Sequence, residues 1–188
     1  MKLNNNQIKR YSRQIVLKNV GPLGQKKLLK SSVLVVGAGG LGSPILLYLT
    51  GTGIGKIGII DYDKVDLSNL HRQILFNAKD IKKSKSKSAS LKLKKINPDI
   101  KIKFFKKKIT KKNIKKIAKN FEVLVDGSDN FETKFLVNDY AVKHKKILIT
   151  GAVNRFEGQI FTFNFLNRKK SPCLRCFFQT YPSNQLLN

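Results

Sequence analysis

Apolar residues recur along the chain with two periods, and their alternation predicts a repeating strand–helix order. Residues 7–19 place Ile8, Tyr11, Ile15 and Val16 on one side of an amphipathic helix. Val33–Val36 is a β-branched, wholly apolar run, as expected of a strand buried on both faces, and it leads straight into GAGGLG. Ser43-Pro44 is expected to open a helix, the serine as cap and the proline in the first turn, where its missing N–H costs nothing. Lys56–Ile60 reads as a second strand ending in Asp61-Tyr62-Asp63, and 84–96 as a helix stopped near Asn97-Pro98. Lys101–Lys106 is a third strand, after which Thr110 should cap a basic helix to about Lys119. Val123–Asp126 is an apolar strand emptying into Gly127-Ser128-Asp129-Asn130, where Asp129 and Glu132 have the spacing of a capping box for a helix through Val142. Lys146–Thr150 is another core strand. Gln159–Phe165 alternates apolar and polar residues, as an antiparallel strand with one wet face does. The sum is an α/β chain: a Rossmann-like, doubly wound, mainly parallel sheet with an antiparallel extension. With no internal repeat or linker, residues 1–188 read as one domain, with an N-terminal helical arm over about 1–30.

Composition narrows the setting. The chain is 41% hydrophobic over 188 residues, ordinary for a globular domain, and no apolar run reaches the roughly 20 residues of a membrane span. Its first residues carry bases but no apolar core of a signal peptide, which leaves the cytoplasm or an organelle stroma as the expected location. The net charge of +27, from 38 Lys+Arg against 11 Asp+Glu, would normally point to nucleic acid. Arginine, however, occurs only at Arg10, Arg13, Arg72, Arg155, Arg168 and Arg175. The rest is lysine, crowded over 82–95 and 101–119 on faces expected to be solvated. The charge therefore implies salt-sensitive adhesion to polyanions and no dedicated nucleic-acid site.

Two constellations carry chemistry. In Gly37-Ala38-Gly39-Gly40-Leu41-Gly42, between strand and helix, Gly37 suits a tight turn, Gly39 the approach of backbone N–H groups to phosphate, and Gly42 close packing. Asp61, at the end of the next strand, stands where a carboxylate can accept ribose hydroxyls. These features alone would equally announce NAD. The second constellation differs: Val65-Asp66-Leu67-Ser68-Asn69-Leu70-His71-Arg72-Gln73 places a fork-shaped cation and amides right after the ribose acid, and Lys85 follows at a helix start. A triphosphate needs such groups and a dehydrogenase does not. Asp129, at the mouth of a central strand, is a hard-oxygen ligand suited to Mg²⁺. His71 and His144 have no partners at metal or nucleophile spacing.

At this point the chain resembles the ThiF/MoeB family, relatives of the ubiquitin-activating enzymes. RYSRQ, GAGGLG, DYDKVDLSNLHRQ, DGSDNFETK, GAVNRFEGQ and CLRC stand in that family's order and spacing, from about Arg10 to Cys176. The resemblance implies ATP-dependent adenylation of the C-terminal glycine of a ubiquitin-like sulfur-carrier protein ending in Gly-Gly, with release of pyrophosphate. It implies a nucleotide site of Gly37, Gly39, Gly40, Leu41, Gly42, Asp61, Asp63, Ser68, Asn69, Arg72, Gln73, Lys85, Asp129 and Asn130, with Asp61 on the ribose, Asn69, Arg72 and Lys85 on phosphates, and Asp129 on Mg²⁺. Arg13 matches an arginine inserted into the partner subunit's site, which implies a homodimer; with Arg72, Lys85 and Asp129 it makes up the implied catalytic set. The attacking carboxylate is already an anion, so positioning and electrostatics are the expected means of catalysis.

Departures from the family pattern are equally specific. Cys173 and Cys176 match half of a structural zinc site, and a closed tetrahedral site needs four donors; the family's second CxxC and its final elements do not follow before Asn188, so zinc stays open. The cysteine with which some members form an acyl-persulfide is also missing. Lys82 replaces a usual glycine and Lys134 a usual arginine. Three readings follow: an adenylyltransferase of the molybdopterin or thiamine branch, a shortened non-catalytic homologue that binds nucleotide or partner, and an NAD-dependent oxidoreductase that would leave SNLHRQ without a purpose. Arg155-Phe156-Glu157-Gly158-Gln159 is closer to the molybdopterin members.

Overall fold

In the computed structural model, which describes residues 3–166 and 172–178, the elements are α1 (Asn5–Arg10), α2 (Ser12–Ile15), α3 (Gly21–Lys30), β1 (Ser32–Val36), α4 (Gly42–Thr52), β2 (Lys56–Ile60), α5 (Lys85–Ile96), β3 (Lys101–Phe105), α6 (Ile114–Ala118), β4 (Val123–Asp126), α7 (Phe131–Lys143), β5 (Ile147–Asn154), β6 (Glu157–Asn164) and α8 (Leu174–Phe177). Arg168 lies outside the described residues. One six-stranded sheet runs β3-β2-β1-β4-β5-β6. The first five strands are parallel, and β6 pairs antiparallel to β5 over Ile147↔Asn164 to Asn154↔Glu157. The order turns back between β1 and β4, which is where open α/β sheets hold their ligands.

The apolar run of β1 divides by parity. Val33 and Val35 join a core with Ile57, Ile59, Leu46 and Leu93 on one face. Leu34 and Val36 join Leu124, Leu148, Phe121 and Phe135 on the other. Both faces are covered at the central strands β1, β2 and β4, which carry no polar alternation, whereas the edge strand β3 alternates Lys101-Ile102-Lys103 and is largely exposed, as is β6. Among the described residues no helix is long and apolar enough to cross a membrane.

Local departures from the periodic reading have local causes. The helix expected over 7–19 is broken into α1 and α2 at Tyr11, whose ring is drawn into the interior, 1% exposed. Ser43 is not a cap: α4 already begins at Gly42, and the Ser43 N–H donates to Gly39 O at 2.9 Å. The basic helix starts at Ile114, because Asn113 Oδ1 accepts from the Thr110 N–H at 2.9 Å and holds 110–113 as a turn. The cap of α7 is Asn130, whose Oδ1 accepts from the Thr133 N–H at 2.9 Å, and not Asp129.

Lys82 adopts a left-handed backbone, φ 65°, while its N–H donates to Val65 O at 2.8 Å. A Cβ is disfavoured there, which gives a physical reason for the glycine of the resembling family. Lys82→Gly is expected to stabilise the fold by about 0.5–1 kcal/mol, the relief of the left-handed strain less the extra chain entropy of glycine, measured as a higher urea midpoint at unchanged slope.

Candidate nucleotide site

Four segments meet at the carboxyl ends of the central strands: the glycine loop after β1, Asp61–Asp63 after β2, Gly127–Asn130 after β4, and the start of α5. The glycine loop turns back onto the sheet through Gly37 N–H donating to Ile60 O at 2.9 Å. Gly42 is required by contact: a Cβ there would collide with the Gly37 carbonyl, so only glycine lets the helix close over the loop. Leu41 is the residue before the first turn of α4, whose N–H groups open toward the loop.

Asp61 is buried and braces that loop. Its Oδ2 accepts from the Ala38 N–H at 2.8 Å and its Oδ1 from the Asp63 N–H at 2.7 Å. Each oxygen keeps acceptor capacity for a ribose hydroxyl. Burial pushes the Asp61 carboxyl above its ordinary value; the two backbone hydrogen bonds and Lys85 pull the other way without cancelling it. Ser86 Oγ donates to Asp61 O at 3.0 Å and Lys85 N–H to Asp63 O at 2.9 Å, which pins the start of α5 to this segment. Lys85, 6% exposed, sets its Nζ 3.2 Å from Asp63 Oδ2.

The loop over 64–76 is anchored by Val65, Leu75 and Phe76, all buried in the core. Between them Asp66 Oδ1 accepts from Ser68 N–H at 2.9 Å and Ser68 Oγ at 2.6 Å, bonds that hold the Asp66 carboxyl below its usual range. Asn69 Nδ2 donates to Ser68 Oγ at 3.3 Å. The Arg72 side chain lies across the loop glycines, such that a Cβ at Gly40 would be 3.5 Å from Arg72 Cδ; its Nη1 donates to Ser68 O at 3.3 Å. Gln73 is buried next to Gly39, and its Oε1 finds no partner among the described residues.

Asp129 is exposed at the mouth of β4, its Oδ1 accepting from Asn130 Nδ2 at 3.2 Å. Beneath it is a network that the sequence reading did not single out. Asp126 Oδ1 accepts from Ser128 N–H at 3.1 Å and Ser128 Oγ at 2.5 Å, while its Oδ2 accepts from Lys134 Nζ at 2.9 Å and Thr150 Oγ1 at 2.6 Å. Lys134 also donates to Gly151 O at 2.6 Å. The Asp-x-Ser spacing of Asp66-Leu67-Ser68 and Asp126-Gly127-Ser128 is a sequence signal for the serine bonds of both acids; the bonds of Asp126 to Lys134 and Thr150 have no such signal, since those partners come from α7 and β5.

Within one chain the structure brings Arg72, Lys85, Asp61, Asp63, Ser68, Asn69, Gln73, Asp129 and Asn130 to one rim with the glycine loop, and does not bring Arg13. Its neighbours Arg10 and Gln14 bond to Ile96 O and Thr52 O, the last residues of α5 and α4, just ahead of β3 and β2. Arg13 thus belongs to the amino-terminal edge of the sheet, a strand length of roughly 17 Å from the glycine loop.

Cys173 and Cys176 lie at α8, with Sγ atoms 3.8 Å apart. That is about the edge of a tetrahedron with 2.3 Å zinc–sulfur bonds, so the pair fits two of four zinc positions. Burial would raise the Cys173 thiol, but hydrogen bonds from the Arg175 backbone, Asn138 and Cys176 outweigh it and hold the thiol below its ordinary value. Among the described residues no group of three or more His, Cys, Asp or Glu gathers for a metal.

The sequence matches the ThiF family over residues 11–188. It is 45% identical over 181 residues to the adenylyltransferase and sulfurtransferase MOCS3 of Anopheles gambiae, covering 96% of this chain and 40% of that one. It is 41% identical over 184 residues to the sulfur carrier protein adenylyltransferase of Thermus thermophilus, covering 97% and 68%. The chain thus spans less than half of the first relative and about two thirds of the second. Among solved structures, E. coli MccB bound to MccA-N7isoASN superposes with a TM-score of 0.81 at 27% identity, over 92% of this chain and 51% of that one. The same MccB with ATP gives 0.79.

Proposed function

The chain belongs to the ThiF family, and from that premise we propose that it is the adenylating domain of an enzyme that transfers AMP from ATP to the C-terminal carboxylate of a ubiquitin-like sulfur-carrier protein. The observation that carries this reading is Arg72 lying across Gly40 of the phosphate loop, with Lys85 and Asp129 on the same rim. A nicotinamide enzyme has no use for a cation laid on its glycine loop; a triphosphate does. The relatives support the substrate class, since both are named adenylyltransferases and the Thermus one a sulfur carrier protein adenylyltransferase, and MccB was solved with ATP. Of the molybdopterin and thiamine branches, the Arg155–Gln159 segment favours the former.

In the proposed reaction a carboxylate oxygen of the carrier forms a bond to the α-phosphorus of ATP. The bond to the bridging oxygen breaks, and pyrophosphate leaves with the electron pair. No base is required, because the nucleophile is an anion at neutral pH; the obstacle is its repulsion from the phosphates. Arg72 and Lys85 offset that repulsion and the charge growing on pyrophosphate, and the α4 N-terminus adds its partial positive charge. Asp61 orients the nucleoside through the ribose. Asp129 suits Mg²⁺, which characteristically takes one or two carboxylates together with phosphate oxygens and needs no closed protein cage; it would supply further neutralisation of those oxygens. Arg13 completes the site from a second copy of the chain, which makes the working unit a homodimer. Residues 1–188 act as one domain, with 1–30 as the arm that carries Arg13.

The direct test is carrier-dependent exchange of labelled pyrophosphate into ATP, using a carrier that ends in Gly-Gly. Exchange is expected from folded protein. ATP binding without exchange would instead assign the chain as a nucleotide-binding homologue, and no magnesium-dependent ATP binding would overturn both.

A pH dependence follows from Asp61. Its carboxyl gains a proton at a higher pH than the ordinary 3.8, and in that form it accepts ribose hydroxyls poorly. ATP affinity is therefore expected to weaken on acidification before exposed carboxylates titrate. Because the folded-state value is raised, the ionised group costs stability at neutral pH and that cost is relieved as pH falls through it, so the weakening is not unfolding. Calorimetric titrations of wild type and Asp61→Asn side by side should show this extra slope in wild type only, the titration of ATP itself being common to both.

A further inference from the structure

Arg13 is an exposed cation with no hydrogen bond or ion pair among the described residues, yet the residues around it are tied down. Arg10 Nη1 donates to Ile96 O at 3.0 Å and its guanidinium lies 3.9 Å from Asp99. Gln14 Nε2 donates to Thr52 O at 3.5 Å. Between them Tyr11 is buried, and its hydroxyl accepts from Asn97 Nδ2 at 2.8 Å. Asn97, 0% exposed, also donates to Thr50 O at 3.0 Å. The Tyr11 ring occupies the space beside Gly53, φ 84°, where any Cβ would collide with it. The Tyr11 carbonyl in turn accepts from the N–H groups of Gln14 at 3.0 Å and Ile15 at 2.9 Å, which starts α2.

A four-residue helix cannot hold its own direction in water. The direction in which α2 presents Arg13 is therefore set by its anchors, and Tyr11 is the one that joins helix start, aromatic packing and a buried hydrogen bond. We propose that Tyr11, through Asn97, is a positioning residue for Arg13: a latch on the core that aims an otherwise unpaired cation outward, toward the phosphates of a second copy's site. This rests on the proposed role of Arg13. Gln25 belongs to the same seam, its Nε2 donating to Thr52 O at 3.0 Å. The seam is incompletely satisfied, with Gln14 Oε1, Gln25 Oε1 and Thr50 Oγ1 buried and unpartnered among the described residues. The bonds of Arg10 and Gln14 are exposed or long, whereas the Tyr11 hydroxyl bond is short and buried, so its loss should be felt in the arm first.

Tyr11→Phe keeps the ring and removes only the acceptor. Two readouts decide the proposal. First, amide hydrogen exchange over residues 10–17 should quicken by about tenfold in the variant, the equivalent of one buried hydrogen bond, with the central strands unchanged. Second, kcat of pyrophosphate exchange should fall by about tenfold in the wild-type background but less than about twofold in Arg13→Ala, assayed at raised protein concentration so that its weaker rate is read, because a residue acting through Arg13 has nothing to position once it is gone. Equal losses in both backgrounds would mark Tyr11 as a general structural residue and overturn the proposal, as would unchanged amide exchange in α2. If wild-type protein carries out no pyrophosphate exchange, the adenylation reading fails, while the amide measurement still decides whether the latch exists.

Discussion

Arg72→Ala is expected to lower carrier-dependent pyrophosphate exchange by about 10²–10³-fold, roughly 3–4 kcal/mol at the transition state, with the fold intact. The side chain is exposed, lying across Gly40 and bonded to Ser68 O, so its removal opens no cavity in either core. What is lost is a planar fork of donors on the anion that must accept the leaving electron pair. Arg72→Lys keeps the charge and loses the fork, and should recover only part of the rate. Exchange assays paired with circular dichroism separate this from misfolding. An alanine variant with normal exchange would remove the cation from the mechanism.

Lys134→Ala should be the most destabilising single change at the site. The Asp126 and Lys134 side chains are 0% and 7% exposed. Truncating the lysine leaves Asp126 with two hydroxyl donors and one N–H but no counter-charge, a loss of about 3–5 kcal/mol of the kind seen when one member of a buried pair is removed. Urea unfolding should show a large drop in midpoint at unchanged slope. The same substitution weakens the Asp126 brace beneath Ser128, Asp129 and Asn130, so exchange should fall in the fraction that stays folded. Lys134→Arg, the residue usual in the family at this place, preserves the charge and should retain most of the stability.

Lys134 also illustrates where sequence reasoning stops. It stood out as a departure from a family pattern, but nothing near it in the chain indicates burial, because its partner Asp126 lies on a neighbouring strand and Gly151 on another. Asp61 is similar. Its place after a strand was legible, and its ribose role is an expectation from that place, whereas its bonds to Ala38 and Asp63 depend on how two loops meet. Helix starts were misplaced at Ser43, Thr110 and Asp129 for one reason: side chains with capping chemistry were present, and the backbone path selected a neighbour instead.

By itself the sequence determined the strand order's raw material and the inventory of the rim. Strand and helix periods, the glycine loop and the run from Asp61 to Gln73 are all encoded within short stretches, where steric and hydrogen-bonding preferences act between near neighbours. Only the tertiary structure decided which acid is a buried brace, which lysine neutralises it, and where Arg13 stands. Tyr11 meets Asn97 across 86 residues of chain. Contacts at that distance arise from the packing of the whole domain, since no local periodicity ties the two residues together.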